Sequence, residues 1–96
     1  MNKVQELFTE LEEQLRKYGD NSILNQYQLV KTAISILESD APMEEKFSET
    51  EDIYKALYPA RGGLSDFYVW RDDFDERLAI NEPFSRIGDA LWKIFQ

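Results

Sequence analysis

The N-terminal segment carries apolar residues at three- and four-residue steps. They fall on one helical face and are Val4, Leu7, Phe8, Leu11, Leu15 and Tyr18. Most charged residues of this segment lie on the other faces, which is typical of a helix with one side buried. The pattern predicts a helix over about 2–18 that ends at Gly19, with the glycine in a C-cap role.

A second apolar stripe begins after Asp20, Asn21 and Ser22, which are residue types that favour helix N-caps. This stripe covers a wider arc than the first, so the helix it predicts should be covered on more than one side and lie centrally. The helix should end near Ser39, before Pro42. Its apolar positions are Ile23, Leu24, Tyr27, Leu29, Val30, Ala33, Ile34, Ile36 and Leu37.

The third helical segment has a start signal at Ser48, because Glu51 follows three residues later and completes a capping-box pattern. Pro59 should end this helix. The sequence leaves open whether Met43–Phe47 forms a separate turn or belongs to the same helix. The predicted buried face consists of Ile53, Tyr54, Leu57 and Tyr58.

The fourth helix is predicted to start at Asn81, a good N-cap, with Glu82 and Pro83 in its first turn. Gly88 would allow another segment to approach closely, and Trp92 flanks the apolar stripe. The stripe itself consists of Phe84, Ile87, Leu91, Ile94 and Phe95.

The helical period disappears over residues 61–80. Phe67–Trp70 has high β propensity and is predicted to be extended. Leu78–Ile80 would then pair with it in a hairpin, or a short helix over 73–79 would begin at Asp72. The sequence leaves both alternatives open.

Side chains alternate between the two sides of an extended segment. Phe67 and Val69 should therefore face the core, while Tyr68 and Trp70 should face outward at least in part. Two large exposed rings side by side are typical of a binding surface.

The four segments predict a single all-α domain over residues 1–96. It should be a small four-helix bundle with an irregular or hairpin-like insertion between helices three and four. A chain of 96 residues with 43% hydrophobic content is long enough for one core. The predicted core consists of Phe8, Leu11, Tyr27, Val30, Ile34, Ile53, Leu57, Ile87, Leu91 and Ile94.

Charge narrows the range of partners. The chain has 19 acidic and 11 basic residues, a formal net charge of −8. This balance argues against a general nucleic-acid binder, because such proteins neutralise phosphates with Lys and Arg. Between Glu38 and Asp52, seven acids stand against Lys46 alone. That segment is either a solvated face or a surface that attracts a basic partner.

The sequence contains few of the residues that catalysis or metal binding requires. Cys and His are absent, which removes thiol chemistry and the usual ligands of zinc, copper and haem. Four carboxylates lie in Asp72–Glu76, but their spacing is not that of an EF-hand, and a turn balanced by Arg71 and Arg77 accounts for them better. Ser65 has no evident base. We therefore expect no enzyme activity, no metal and no cofactor.

The best candidate site is the loop over residues 61–70. Its two adjacent glycines lack the Lys-Ser/Thr ending of a phosphate-binding P-loop. The pair is either a turn that needs positive φ or a loop that lets another chain approach closely. Ser65 and Asp66 would cap or brace the turn, and Arg61 would either pair with Asp66 or reach a partner. The candidate partner-binding residues are Arg61, Gly62, Gly63, Asp66, Tyr68 and Trp70.

The segment Tyr58–Phe95 resembles a family of small uncharacterised bacterial proteins. The matching block is Gly62, Gly63, Ser65 and Asp66, followed by an extended stretch at Phe67–Val69. Leu64 alone separates the glycines from the serine, so the block is shorter than in the family. Many members resemble the immunity proteins that accompany secreted bacterial toxins. The resemblance implies a helical protein that binds a protein partner, such as a basic toxin.

Two classes of function remain. The first is a cytoplasmic protein-binding domain, inhibitor-like or immunity-like. The second is a structural or regulatory module, acting as an accessory subunit or a homodimer. The lack of cysteine and the polar N-terminus favour the cytoplasm over secretion. No apolar run approaches the roughly 18 residues of a membrane span. The salt dependence of binding would distinguish the two classes. Electrostatic capture of a basic partner weakens as ionic strength rises, whereas apolar self-association does not.

Overall fold

The computed structural model describes residues 2–96. No strand occurs within them, which confirms the predicted all-α four-helix bundle. Short 3₁₀ turns lie at Asn21–Ile23 and Gly63–Ser65. The four helices are α1 (Asn2–Tyr18), α2 (Leu24–Glu38), α3 (Met43–Leu57) and α4 (Phe74–Phe95).

The turn between α1 and α2 begins at Gly19, as predicted. The Gly19 N–H donates to the carbonyl of Leu15 at 2.7 Å. Gly19 does not adopt a positive φ. Its role is close approach, because an added Cβ would lie 2.5 Å from both the Leu15 carbonyl oxygen and the Ile23 side chain. The Asp20 carboxylate then caps the 3₁₀ turn by accepting from the Ser22 N–H at 2.8 Å, and α2 follows directly.

Met43–Phe47, which the sequence left open, belongs to α3, so the capping-box pattern at Ser48 does not mark the start of this helix. The helix begins at Met43 with Pro42 as N-cap, and Ser48 lies exposed inside it. Two acids in the first turn favour the earlier start, because carboxylates stabilise the positive end of a helix. The Phe47 ring also packs 5.1 Å from the Phe95 ring, centroid to centroid, which ties the first turns of α3 to the end of α4.

The predicted start of α4 is wrong. The helix begins at Phe74, capped by the Asp73 carboxylate, which accepts from the Glu76 N–H at 2.8 Å. Asn81 and Pro83 lie inside the helix. The hairpin alternative is therefore excluded, and the predicted short helix is the first part of α4.

The helices pack so that α1 contacts α2 and α4, and α2 also contacts α3. α2 is therefore covered on two sides, as its wide stripe predicted, but α1 also packs between two helices, so α2 is not more central than α1. The backbones of α3 and α4 approach each other less closely. Aromatic rings fill this wider seam. The Tyr54 ring lies 5.4 Å from Phe95 and 5.3 Å from Tyr58 between centroids.

The core contains most of the residues that periodicity assigned to it. Tyr27, Ile34 and Ile94 are only partly buried and pack against the edge of the core. The predicted positions that are fully or nearly fully buried are Phe8, Leu11, Val30, Ile53, Leu57, Ile87 and Leu91. None of the helices in the described part of the chain is long and apolar enough to cross a membrane.

Two polar links join α1 to its neighbours. The Tyr27 hydroxyl donates to the Glu12 carboxylate at 2.7 Å, and this hydrogen bond is the main cause that lowers the pKa of Glu12. Arg86 of α4 pairs with Glu10, and its hydrogen bond lowers the pKa of Glu10 in the same way.

The Glu12–Tyr27 link should make stability depend on pH. A carboxyl group with a lowered pKa in the folded state contributes stability above its unfolded pKa, about 4.3 for Glu, and loses it as pH falls through the folded value. Tyr27→Phe should therefore destabilise the protein at neutral pH and have little effect in acid. Urea unfolding of both proteins at about pH 7 and about pH 3 measures this.

Tyr18→Phe is the control for that experiment. Tyr18 makes no side-chain hydrogen bond within residues 3–96, so removing its hydroxyl should change stability equally at both pH values. An equal loss at both pH values for Tyr27→Phe would contradict the prediction.

Candidate functional site

The loop after α3 is held in shape by its two glycines. Gly62 and Gly63 both have positive φ, +81° and +55°. The Gly62 N–H donates to the Asp66 carboxylate at 2.6 Å, and the Ser65 hydroxyl donates to the Pro59 carbonyl at 2.6 Å. The positive-φ turn expected from the sequence is therefore present, with both predicted bracing residues in place.

Alanine at either glycine should destabilise the protein. Gly62 has open space around an added Cβ, so Gly62→Ala should cost only the backbone strain, about 1–3 kcal/mol. Gly63→Ala should cost more, because its Cβ would also lie 2.7 Å from the Leu57 carbonyl oxygen. Denaturant unfolding monitored by circular dichroism measures both losses.

Gly88→Ala is the matched control, since this glycine is helical and its Cβ would lie 3.4 Å from the Tyr58 ring, an ordinary contact. It should be neutral or stabilise the protein by about 0.5–1 kcal/mol. Wild-type stability for Gly62→Ala would show that the loop does not need its glycine geometry.

The segment after the glycines is fixed to α4 by one buried amide. The Asn81 side chain accepts from the Val69 N–H at 2.9 Å and donates to the Val69 carbonyl at 2.7 Å. It also donates to the Arg77 carbonyl at 2.9 Å. Asn81 thus satisfies both backbone groups of Val69, as a neighbouring strand would. This pairing is why a good N-cap residue lies inside a helix.

Side chains of residues 67–70 alternate as predicted. Val69 is buried, and Phe67 is partly buried with its ring 5.2 Å from that of Phe84. Tyr68 and Trp70 are exposed. The segment itself forms neither helix nor strand.

The exposed rings belong to a larger apolar area, which we call the aromatic surface. The Arg77 guanidinium lies 4.0 Å above the Trp70 ring and 5.3 Å from the Phe74 ring, and so connects them. Leu78 follows Phe74 by one helical turn. The members of the aromatic surface and their exposed fractions are Tyr68 at 55%, Trp70 at 64%, Phe74 at 59% and Leu78 at 51%.

A groove of about 410 Å³ lies beside this surface, between α3, α4 and the loop. Its α4 wall is formed by small residues, Ser85 and Gly88, between the larger Phe84 and Trp92. Burial raises the pKa of the Tyr58 hydroxyl, and the neighbouring Tyr54 adds to the rise. The aromatic residues that line the groove are Tyr54, Tyr58, Phe67, Tyr68, Phe84 and Trp92.

One face of α4 carries both the groove and part of the aromatic surface. Its residues recur at alternating steps of four and three, so they lie one above another along the helix. This face was not apparent from the sequence, because the predicted helix started at Asn81 and excluded the first two turns of α4. The face consists of Phe74, Leu78, Asn81, Ser85, Gly88 and Trp92.

The carboxylates of Asp72–Glu76 serve the start of α4. Asp73 caps the helix, and Glu76 pairs with Arg71 at 3.5 Å. The Trp70 indole N–H donates to Asp72 at 3.4 Å. No group of three such side chains converges on a metal-sized site within residues 3–96.

The acidic segment over residues 38–52 is mostly solvent-exposed. Its only basic residue, Lys46, donates to the Leu37 carbonyl at 3.1 Å and so caps the end of α2. The negative charge of this segment therefore faces solvent with little local compensation.

The structure brings together only part of the candidate loop. Gly63, Asp66 and Tyr68 line a shallow depression against the α1–α2 turn. Arg61 is exposed, and within residues 3–96 it makes no ion pair with Asp66. Residues that the sequence analysis did not select, Phe74, Leu78, Asp89 and Trp92, belong to the aromatic surface or line the groove.

The chain is thus a small helical bundle with an apolar surface beside an aromatic groove. No known protein family, curated protein or solved structure matches it at a significant level.

Proposed function

We propose that this protein is a non-catalytic, cytoplasmic binding domain of the inhibitor or immunity-protein type, which captures a basic protein through the aromatic surface. One observation carries the proposal: four large apolar side chains are each more than half exposed, two on the segment that the Asn81–Val69 hydrogen bonds fix to α4 and two on the first turns of α4 itself. Exposed rings held in fixed positions are typical of interface hot spots, because little conformational entropy is lost on binding.

Charge supports the basic character of the partner. The net charge is −8, and the exposed acids of α3 lie on the helix that also forms one wall of the groove. A negative field of this kind accelerates encounter with a basic protein and is screened by salt. The resemblance of residues 58–95 to immunity-like proteins agrees with such a partner.

The test has two steps. A photo-crosslinking amino acid at Tyr68 identifies candidate partners in the cells that express the protein, and each candidate is then purified and its Kd measured. Tyr68→Ser/Trp70→Ser should raise the Kd at least about 30-fold, because hot-spot rings each contribute about 2 kcal/mol or more. The association rate should fall steeply with added salt.

Leu24→Ser/Met43→Ser is the matched control. These residues are 52% and 55% exposed and begin α2 and α3, and neither lines the groove nor belongs to the aromatic surface. Their replacement should change the Kd by less than about threefold. Equal weakening by both double variants would reject the proposal. A homodimer, detected by sedimentation, that Tyr68→Ser/Trp70→Ser dissociates and salt does not weaken would instead support the structural or regulatory module.

A further inference from the structure

We infer that the groove between α3 and α4 receives one cationic side chain, a lysine or arginine, from the partner. This inference rests on the proposed function and specifies the chemistry of the anchor. The groove has a volume of about 410 Å³, enough to accommodate one long side chain. Aromatic residues make up half of its lining, and the lining includes one carboxylate, that of Asp89.

The electronic character of the lining favours a cation. The faces of Tyr and Trp rings carry partial negative charge and attract ammonium and guanidinium groups within about 6 Å. Tyr58, Tyr68 and Trp92 all line the groove. Tyr68 and Trp92 are each more than half exposed, so their rings are accessible to an entering group.

The Asp89 carboxylate can pair with a cation of the partner. It is exposed, and it makes no ion pair within 4.0 Å among residues 3–96. The neighbouring cation on α4, Arg86, is held by Glu10 and Glu82 instead. Lys93, one turn beyond Asp89, also makes no ion pair with it. An entering lysine would therefore gain both a ring contact and a carboxylate.

The chain contains an internal precedent for this recognition. On the adjoining aromatic surface, the Arg77 guanidinium lies 4.0 Å above the Trp70 ring. The groove offers the same kind of ring to solvent without an internal cation among its lining residues.

Peptide titration tests the inference without the natural partner. The probes are the capped tripeptides Gly-Lys-Gly and Gly-Arg-Gly, with Gly-norleucine-Gly as an uncharged control of similar length. In ¹H–¹⁵N spectra, the two cationic peptides should shift the Gly88 amide and the Trp92 indole resonances at millimolar concentration. The norleucine peptide should shift these two resonances at least about threefold less. This is the difference expected from a modest cation–π and ion-pair contribution to binding.

Variants locate the binding. Asp89→Asn should weaken binding of the lysine peptide about threefold, whereas Asp75→Asn, which removes another exposed carboxylate from the same helix, should not. Gly88→Ala should also weaken binding of the lysine peptide, because the added Cβ narrows the groove against Tyr58. A cooperative melting transition would show that each variant is folded. Equal binding of the norleucine peptide, or no shift at Gly88 and Trp92, would overturn the inference. Partner binding that still depends on Tyr68 and Trp70 would leave the proposed function intact.

Discussion

Leu91→Ala is expected to lower the free energy of unfolding by about 2–5 kcal/mol, the range for a fully buried leucine that leaves a cavity. Leu91 is completely buried in the face of α4 that packs on the core. Urea unfolding should show a lower midpoint with an unchanged slope, because the surface exposed on unfolding stays nearly the same.

Leu78→Ala is the matched control for this measurement. It makes the same chemical change in the same helix, but Leu78 is 51% exposed. Its effect should stay within about 0.5 kcal/mol, because surface substitutions remove few contacts. Similar losses for the two variants would mean that the described face of α4 is not the buried one.

Asn81→Ala is expected to cost about 2–4 kcal/mol, because it leaves the N–H and the carbonyl of buried Val69 without partners. Amide hydrogen exchange locates the effect. We expect the Val69 amide to be protected from exchange in the wild type and to exchange much faster in the variant. The exchange rates of α1 amides should change much less.

Asn81→Asp separates the two hydrogen bonds. An ionised carboxylate can still accept from the Val69 N–H, but it cannot donate to the Val69 carbonyl. Its stability should therefore lie below that of the wild type at neutral pH and recover partly in acid, where the protonated group can donate. Asn25→Ala, an exposed asparagine in α2, should be neutral. Normal Val69 protection in Asn81→Ala would show that the segment does not depend on this amide.

Local sequence signals predicted the first two helices well. The stripe of α1 and its stop at Gly19 depend on residues that are close along the chain, as does the end of α2 near Ser39. The seven buried core residues named from periodicity also follow from single helices. Even there, Gly19 acts through close packing against Ile23 rather than through a left-handed backbone.

Start signals were not decisive where a side chain had a more distant partner: the start of α3 was left open, and that of α4 was placed too late. Ser48 matched a capping box, but the acids after Pro42 and the ring of Phe47 extend α3 by five residues at its N-terminal end. Asn81 and Pro83 together are typical of a helix start. Instead, α4 continues through Pro83, because the flanking residues Ile80 and Ile87 are buried and Asn81 is paired with Val69.

In the candidate site, too, the sequence predicted the features that neighbouring residues determine and missed those that depend on distant contacts. Adjacent glycines predicted the positive-φ turn, and the alternation of residues 67–70 predicted which rings face solvent. Both inferences need only the geometry of a few consecutive residues. Phe74, Leu78 and Trp92 were not selected because their shared face exists only if α4 starts at Phe74.

The sequence by itself therefore determined the all-α class, the apolar faces of the helices and the glycine turn, since each is set by residues within a few positions of one another. Only the tertiary structure decided that α4 continues through Asn81 and Pro83, and where the groove lies. Val69 meets Asn81 across twelve residues, and the groove forms because large rings hold α3 and α4 apart. Such contacts depend on how helices pack, and no local pattern encodes them.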